Sequence, residues 1–203
     1  MANKIPVKFY FNTMPGMPQM ANVYGDMVAV LDCVLVNGTT HVTVNSITFA
    51  DGVCTATTAA AHGFIVDMVI EVTGATQDEF NGEWRLTEVT TNTFKFVPVV
   101  APAVGNAAGT LKVRIPPLGY EIAFTATNRR VYRSKNVLST RPFLRVDNDM
   151  LTGWNANYAV LPRVTAAKTM TDINTFTDGR MPFDPSYPTK NDVLEGSATS
   201  GYY

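Results

Sequence analysis

The two histidines are the natural starting point for acid–base or metal chemistry, because the 203-residue chain contains only these two. His62 precedes Gly63, and His41 stands among threonines shortly after Asn37-Gly38. A zinc site needs three or four ligands, and neither histidine has a second histidine or a cysteine at ligand spacing. We therefore expect no metal site and no cofactor. We interpret His62 as a turn residue that hydrogen-bonds the backbone, with a catalytic histidine as the alternative.

Carboxylates at two places could support further chemistry. Asp147-Asn148-Asp149 offers oxygen ligands for calcium but lacks the later glycine and bidentate glutamate of an EF-hand loop, which favours a solvated turn. Asp78 and Glu79 could form a pair for sugar hydrolysis, but adjacent strand residues point to opposite faces. The chain also contains no Walker loop, Rossmann fingerprint, Gly-x-Ser-x-Gly or His-Glu-x-x-His pattern. We therefore expect the protein not to be an enzyme.

A run of basic residues with no acidic residue among them is the most notable polar feature of the sequence. Its members are Arg129, Arg130, Arg133, Lys135, Arg141 and Arg145. Tyr132 and Phe143 interleave with them, as in a strip that binds nucleic acid. Guanidinium groups pair equally well with carboxylates on another subunit. We favour subunit contact for the five arginines over a solvated face or direct DNA contact.

The composition indicates a protein with extensive buried surface. Hydrophobic residues make up 46% of the chain and charged residues only 16%, against roughly 25% charged residues in an ordinary soluble domain. The low charge favours buried subunit contacts. A formal net charge of -1 provides no overall field that would attract DNA or an anionic membrane.

Other sequence features indicate the cellular setting. The longest apolar run, Met27 to Val36, is interrupted by Asp32 and is shorter than the roughly 20 residues of a membrane span. The N-terminus has no apolar stretch followed by a small-residue cleavage site, which predicts synthesis in a cytoplasm. Cys33 and Cys54 are too few for a disulfide framework, and we expect both to be reduced and packed.

Alternation of apolar and polar residues with period two recurs along the chain and predicts a mainly β fold. Val7, Phe9 and Phe11 would share one face of a first strand. Asp26 to Val36 is interpreted as a continuous apolar strand, and Asn37-Gly38 as the tight hairpin turn that ends it.

Residues 46–115 are predicted to form a small inserted module. Five short strands are expected, at residues 47–49, 53–58, 68–73, 83–90 and 93–97. Such strands with tight connections favour a five-stranded β-barrel or sandwich. Val97 to Gly109 is rich in Pro, Ala and Gly and is interpreted as an exposed loop. Residues 1–45 and 116–177 would together form a β-sandwich or barrel core domain.

The C-terminal residues 178–203 are predicted to form an extended arm that docks on a neighbouring subunit. Their composition offers little with which to build a local core. Three prolines restrict the free chain, and Phe183, Tyr187, Tyr202 and Tyr203 would supply aromatic anchors for pockets on a partner.

Three stretches within the module, 61–74, 80–84 and 89–96, together carry a resemblance. Their pattern of His-Gly-Phe, Asn-Gly and Thr-Phe resembles a small β module of structural proteins from tailed bacteriophages. The flanking segments 8–10, 35–38 and 143–147 are also similar to that family. Asp67 departs from the pattern, which more often has glycine there, and the C-terminus has no counterpart. The resemblance implies no catalytic residue.

These observations together predict a non-enzymatic structural protein of a tailed-phage virion, assembled in the host bacterial cytoplasm. We expect it to occur in several copies at the neck, collar or tail, with copies of itself and other virion proteins as partners and no membrane contact. Two alternatives stay open: a capsid decoration protein, and a receptor- or carbohydrate-binding module at the tail tip.

Overall fold

The computed structural model describes residues 7–150, 155, 160 and 162–181. These residues divide into two compact units. The barrel unit contains residues 7–17 and Asn37–Leu118, and the sheet unit contains Pro18–Val36 and the described residues from Gly119 onward. None of the helices in this part of the chain has the length and apolarity that a bilayer span requires.

The barrel unit is built on a closed antiparallel barrel of six strands. The strands are β1 (Val42–Ala50), β2 (Val53–Thr58), β3 (Val69–Ala75), β4 (Gly82–Val89), β5 (Thr93–Phe96) and β6 (Gly109–Arg114). They pair in the order β1-β2-β5-β4-β3-β6, and β6 returns to pair with β1. A 3-10 turn, Asp78–Phe80, precedes β4. The predictions of a mainly β fold and of a small β-barrel are confirmed, but the barrel has six strands and not the five expected, because β6 closes it by pairing with both β1 and β3.

Because successive side chains of a strand point to opposite faces, the period-two alternation places the apolar side chains of each strand on the face that lines the barrel interior. Buried and half-buried residues alternate along the whole of β2. The fully buried interior side chains include Ile47, Ile70, Val72, Phe80, Leu86, Phe94, Phe96 and Val113. The β1–β2 hairpin turns through Asp51 and Gly52, both at positive φ, as a type I′ turn requires.

The close approach of β3 and β6 depends on two glycines. Gly74 and Gly109 both adopt positive φ, and a Cβ atom on Gly74 would collide with the carbonyl oxygen of Thr110. The register of the two strands shifts between Thr73 and Ala75. Glycine removes the side chain that would keep these backbones apart.

The sheet unit contains a four-stranded antiparallel sheet in the order β10-β9-β8-β7. Its strands are β7 (Tyr120–Ala126), β8 (Arg129–Ser134), β9 (Phe143–Asp147) and β10 (Arg163–Ala167). One face packs on an α-helix, α1 (Asp26–Leu31), and the π-helical turns Asp32–Asn37 that follow it. The other face packs on a ribbon of β11 (Thr169–Met170) and β12 (Phe176–Asp178). The core predicted as sandwich-like is thus one sheet between a helical layer and a short β layer.

The prediction of a strand over Asp26 to Val36 is wrong, because the segment is helical. A short apolar run fits a buried strand and a buried helix equally well. The helix is favoured by a partner distant in sequence: the Asn148 side-chain oxygen accepts hydrogen bonds from the N–H groups of Gly25 (2.8 Å) and Met27 (3.3 Å). Gly38, at φ 70°, ends the helical turns instead of forming a hairpin.

Residues 178–181, predicted as the beginning of an arm, instead pair within the sheet unit. Asp178 pairs with Thr169 in the β11–β12 ribbon. Met181 and Ala166 exchange two backbone hydrogen bonds, each of 2.7 Å. The chain therefore belongs to the sheet unit as far as Met181, and residues 182–203 lie outside the described part.

Candidate assembly surface

The five arginines proposed for subunit contact all have carboxylate partners within the sheet unit. The pairs are Arg129 with Asp149 (2.8 Å), Arg130 with Asp32 (3.2 Å), Arg133 and Arg141 with Glu121 (2.7 and 2.8 Å), and Arg145 with Asp147 (2.6 Å). Hydrogen bonding from Arg133, first among several causes, lowers the pKa of Glu121. Asp147 lies on the same strand as Arg145, whereas Asp32, Glu121 and Asp149 come from outside the run, so most of the balance is not visible in the sequence. The arginines hold the helical layer and the strands of this unit together, and their part in subunit association stays a prediction.

The interpretation of Asp147-Asn148-Asp149 as a solvated turn is wrong. Asp147 is only 4% exposed and Asn148 only 1%. Asp147 lies between Arg145 (2.6 Å) and Arg163 (2.9 Å), and Asn148 caps α1. A buried carboxylate needs such compensation for its lost hydration. This tripeptide therefore connects the sheet to the helical layer.

Both ring nitrogens of His62 lie within hydrogen-bonding distance of backbone groups. The Phe64 N–H donates to Nδ1 (3.0 Å), and Nε2 lies 3.3 Å from the Thr93 carbonyl oxygen. Because Nδ1 accepts, the bound proton belongs on Nε2. Burial lowers the pKa of His62, against a smaller opposite effect of the Thr93 hydrogen bond. The interpretation of His62 as a residue that hydrogen-bonds the backbone is confirmed.

The sulfur groups and possible metal ligands are also accounted for. Cys33 and Cys54 are both free and buried, as expected, and burial raises the pKa of Cys54 to about 11. A thiol with so high a pKa is a poor nucleophile. Within the described ranges, no three His, Cys, Asp or Glu side chains come together as a metal-binding group.

The most unusual surface of the barrel unit is the first part of the β5–β6 connection, residues 97–104, here called the valine loop. Four of its side chains point into solvent: Val97 (56% exposed), Val99 (64%), Val100 (61%) and Val104 (43%). Pro98 and Pro102 are buried between them. Residues 97–108 contain no charged residue. Exposed apolar side chains that cluster in this way mark interaction surfaces.

The valine loop is held in place by its own continuation, residues 105–108. The bonds that fix this stretch are Phe49 N–H to Gly105 O (2.7 Å), Ala107 N–H to Ile47 O (2.9 Å), Thr76 N–H to Ala108 O (2.7 Å) and Ala108 N–H to the Gln77 side chain (3.0 Å). The exposed valines therefore belong to a loop that is anchored to the barrel at residues 105–108. Such a loop can recognise a partner by apolar burial, and it carries no group for catalysis.

Comparisons of the chain with protein-family models, with curated proteins and with solved structures gave no match. The resemblance to tailed-phage structural proteins therefore stays a prediction.

Sequence reasoning located this loop but did not identify it as a candidate contact surface. The exposed position of Val97 to Gly109 was predicted from its prolines. The absence of charge over residues 97–108 was the signal that could have identified a contact surface. The aromatic candidates Phe183, Tyr187, Tyr202 and Tyr203 lie outside the described residues.

Proposed function

We propose that this chain is a non-enzymatic structural subunit of a tailed-bacteriophage virion, present in several copies at the neck, collar or tail. The observation that carries the proposal is the valine loop, an anchored apolar surface without charge. The assembly role rests on this surface, and the phage setting rests on the resemblance in the sequence.

The energetics of the valine loop favour association. Burial of apolar surface contributes roughly 25 cal/mol per Å². Because residues 105–108 anchor one end of the loop and Pro98 and Pro102 restrict its backbone, docking should lose less conformational entropy than docking of a free segment would. No charged group in the loop has to be desolvated. Each of these features lowers the free energy of a complex with an apolar partner surface.

The residues that carry the resemblance serve the barrel as packing residues. Phe64, Phe94 and His62 form one aromatic group, with ring centroids 4.8 to 5.6 Å apart. Trp84 stacks on Phe96 at 5.4 Å and donates its indole N–H to the Phe80 carbonyl oxygen. The motif thus specifies a stable module, which suits a structural protein whose function lies on its surface.

The arginine strip and the C-terminal residues complete the proposal. Each of the five arginines has a carboxylate partner inside its own unit, although Arg133 and Arg141 share Glu121, so most of the charge of these arginines is neutralised within the chain. Less of that charge is then left to release counterions from a nucleic acid. We propose contact with protein subunits in place of direct DNA contact. Residues 182–203 would add a docking arm with aromatic anchors.

A paired substitution tests the assembly role. We expect the double variant Val99→Asp, Val100→Asp to fold normally but to associate less, because two carboxylates would have to be desolvated in the contact. Thr87→Asp, at an exposed position on β4, is the matched control. Sedimentation velocity and recovery in purified phage particles are the measurements. Equal recovery of the double variant and the control would contradict the proposal.

A further inference from the structure

The four-stranded sheet of the sheet unit has one occupied edge and one open edge. Beyond β10, Ala166 exchanges two backbone hydrogen bonds with Met181. At the opposite edge, β7 pairs with β8 alone among the described residues, and none of its backbone N–H groups bonds outside that pair. Alternate residues of an antiparallel edge strand direct both backbone groups away from their neighbour. About three residues of β7 therefore present N–H and C=O groups to the open side.

The open edge of β7 is accessible to solvent along its whole length. None of the seven residues of β7 is buried, whereas β8, β9 and β10 contain two buried residues each. The strand contains no proline and no lysine, the residues that most often prevent an edge strand from pairing. A bulge between Ile122 and Phe124 interrupts regular pairing, which favours a partner that fits it over indiscriminate strands. The edge is therefore a template for a further, matching strand.

One end of β7 lies beside the β8–β9 loop, because the Lys135 N–H donates to the carbonyl oxygen of Gly119 (3.0 Å), the residue before β7. This loop projects two apolar side chains, Val137 (76% exposed) and Leu138 (93% exposed). The Asn136 side chain accepts the Leu138 N–H (3.0 Å) and fixes the loop locally. Apolar surface thus stands in a defined position beside the start of the open edge.

The same end of the edge carries an excess of positive charge. Arg133 and Arg141 share the single carboxylate of Glu121, at 2.7 and 2.8 Å. The Lys135 side chain is exposed and forms no ion pair with a described residue. Three positive charges therefore stand against one carboxylate at this end. An acidic side chain on a docking segment would be attracted there.

We propose that the β7 edge binds an extended segment of another protein as an added fifth strand of the sheet. The row of backbone groups requires an extended, proline-free backbone, which supplies the matching N–H and C=O groups. The positive end of the edge selects a segment with a carboxylate near Gly119, and Val137 and Leu138 select an apolar side chain beside it. This site is separate from the valine loop. The inference rests on the proposed function only in taking the other protein to be a further virion subunit.

Amide hydrogen exchange, followed by mass spectrometry, tests the proposal on the full chain. In the purified chain, about three amides of residues 120–126 should exchange rapidly, because they point to the open side. In purified particles, the same amides should exchange at least tenfold more slowly. Residues 53–58 of β2, which pairs on both sides, are the internal control and should exchange equally in both samples.

Two substitutions test the chemistry assigned to the partner. Ile122→Lys places a lysine on the edge, and Ile122 is already 37% exposed, so folding should be retained while strand addition is opposed. Ile65→Lys, at a 47% exposed isoleucine of the barrel unit, is the matched control. Lys135→Glu reverses the unpaired charge without breaking an ion pair. Melting curves verify folding, and we expect at least fivefold lower recovery in particles for Ile122→Lys and Lys135→Glu than for Ile65→Lys.

The outcomes separate this inference from the proposed function. Particles that contain the chain but leave residues 120–126 in fast exchange would overturn strand addition and leave the assembly role intact. Absence of the chain from particles would overturn both. Slow exchange that appears in the purified chain and increases with its concentration would identify a second copy as the partner, contrary to the proposal. Equal recovery of the two edge variants and Ile65→Lys would also contradict it.

Discussion

At the scale of single residues, the buried polar side chains of this protein act as connectors between elements. Asp147 joins Arg145 and Arg163, Asn148 caps α1, and His62 holds two stretches of barrel backbone. Each satisfies hydrogen-bonding groups that would otherwise be buried without partners. Substitution of any one of these three residues should therefore lower the free energy of unfolding more than substitution of an exposed polar residue.

His62 should make the barrel sensitive to acid. Burial lowers its pKa in the folded protein below the ordinary value of 6.5. As the pH falls through that value, the unfolded chain takes up a proton before the folded chain does. The stability is thus present above about pH 6.5 and is lost as the pH falls. Protonation of Nδ1 would also remove the acceptor of the Phe64 N–H.

Thermal melting between pH 8 and pH 5 checks this expectation. His62→Gln should have a lower melting temperature than the natural chain at pH 8 but a shallower decline toward pH 5. His41→Gln is the comparison: desolvation, together with Arg114 and Lys112, also lowers the pKa of His41, but His41 is exposed, so solvent screening should make its share of the decline smaller than that of His62. Parallel curves for the natural chain and His62→Gln would show that His62 has no part in acid sensitivity.

Asp147 should be the most sensitive carboxylate of the sheet unit. Asp147→Asn leaves Arg145 and Arg163, whose side chains are 11% and 14% exposed, without their shared counter-charge. Removal of one partner from a buried ion pair costs about 3–5 kcal/mol of unfolding free energy. Asp178→Asn, in an exposed pair with Lys168, should change stability little. Denaturant unfolding measures both variants, and equal midpoints would contradict the connecting role of Asp147.

At the scale of elements, the barrel strands were predictable and the helix was not. The first strand predicted around Val7, Phe9 and Phe11 is also wrong, because these residues are not in a strand. Alternation in residues 53–58 and 93–97 identified β2 and β5 because one side of each strand fills the barrel. The run Asp26 to Val36 is apolar throughout, so its period could not distinguish strand from helix. The feature that decides it, capping by Asn148, lies more than a hundred residues away in sequence.

Two truncations test where the fold ends and the proposed arm begins. Deletion of residues 182–203 should leave the melting temperature of the sheet unit unchanged, because the described pairing ends at Met181. It should reduce association or recovery in particles if the aromatic anchors dock on a neighbour. Deletion of residues 178–203 removes the Asp178 and Met181 pairings as well, and should lower the melting temperature by several degrees. An equal loss of stability in both truncations would show that the arm belongs to its own domain.

At the scale of the whole molecule, the sequence identified groups of residues that lie together but not the distant residues that contact them. The basic run from Arg129 to Arg145 was visible, but Asp32, Glu121 and Asp149 reach it only through the fold. The common face of Val7, Phe9 and Phe11 was predicted, whereas its outward direction depends on Lys8 and Tyr10 binding the residues after β6. Such orientation is a tertiary property that no local period encodes.

The measurement that tests the central claim most directly is a density map of the assembled phage particle at side-chain resolution. We expect several symmetry-related copies of the chain at the neck, collar or tail, with Val99 and Val100 of the valine loop buried against a neighbouring subunit. Absence of the chain from purified particles, or density that leaves the valine loop in solvent in every copy, would contradict the account.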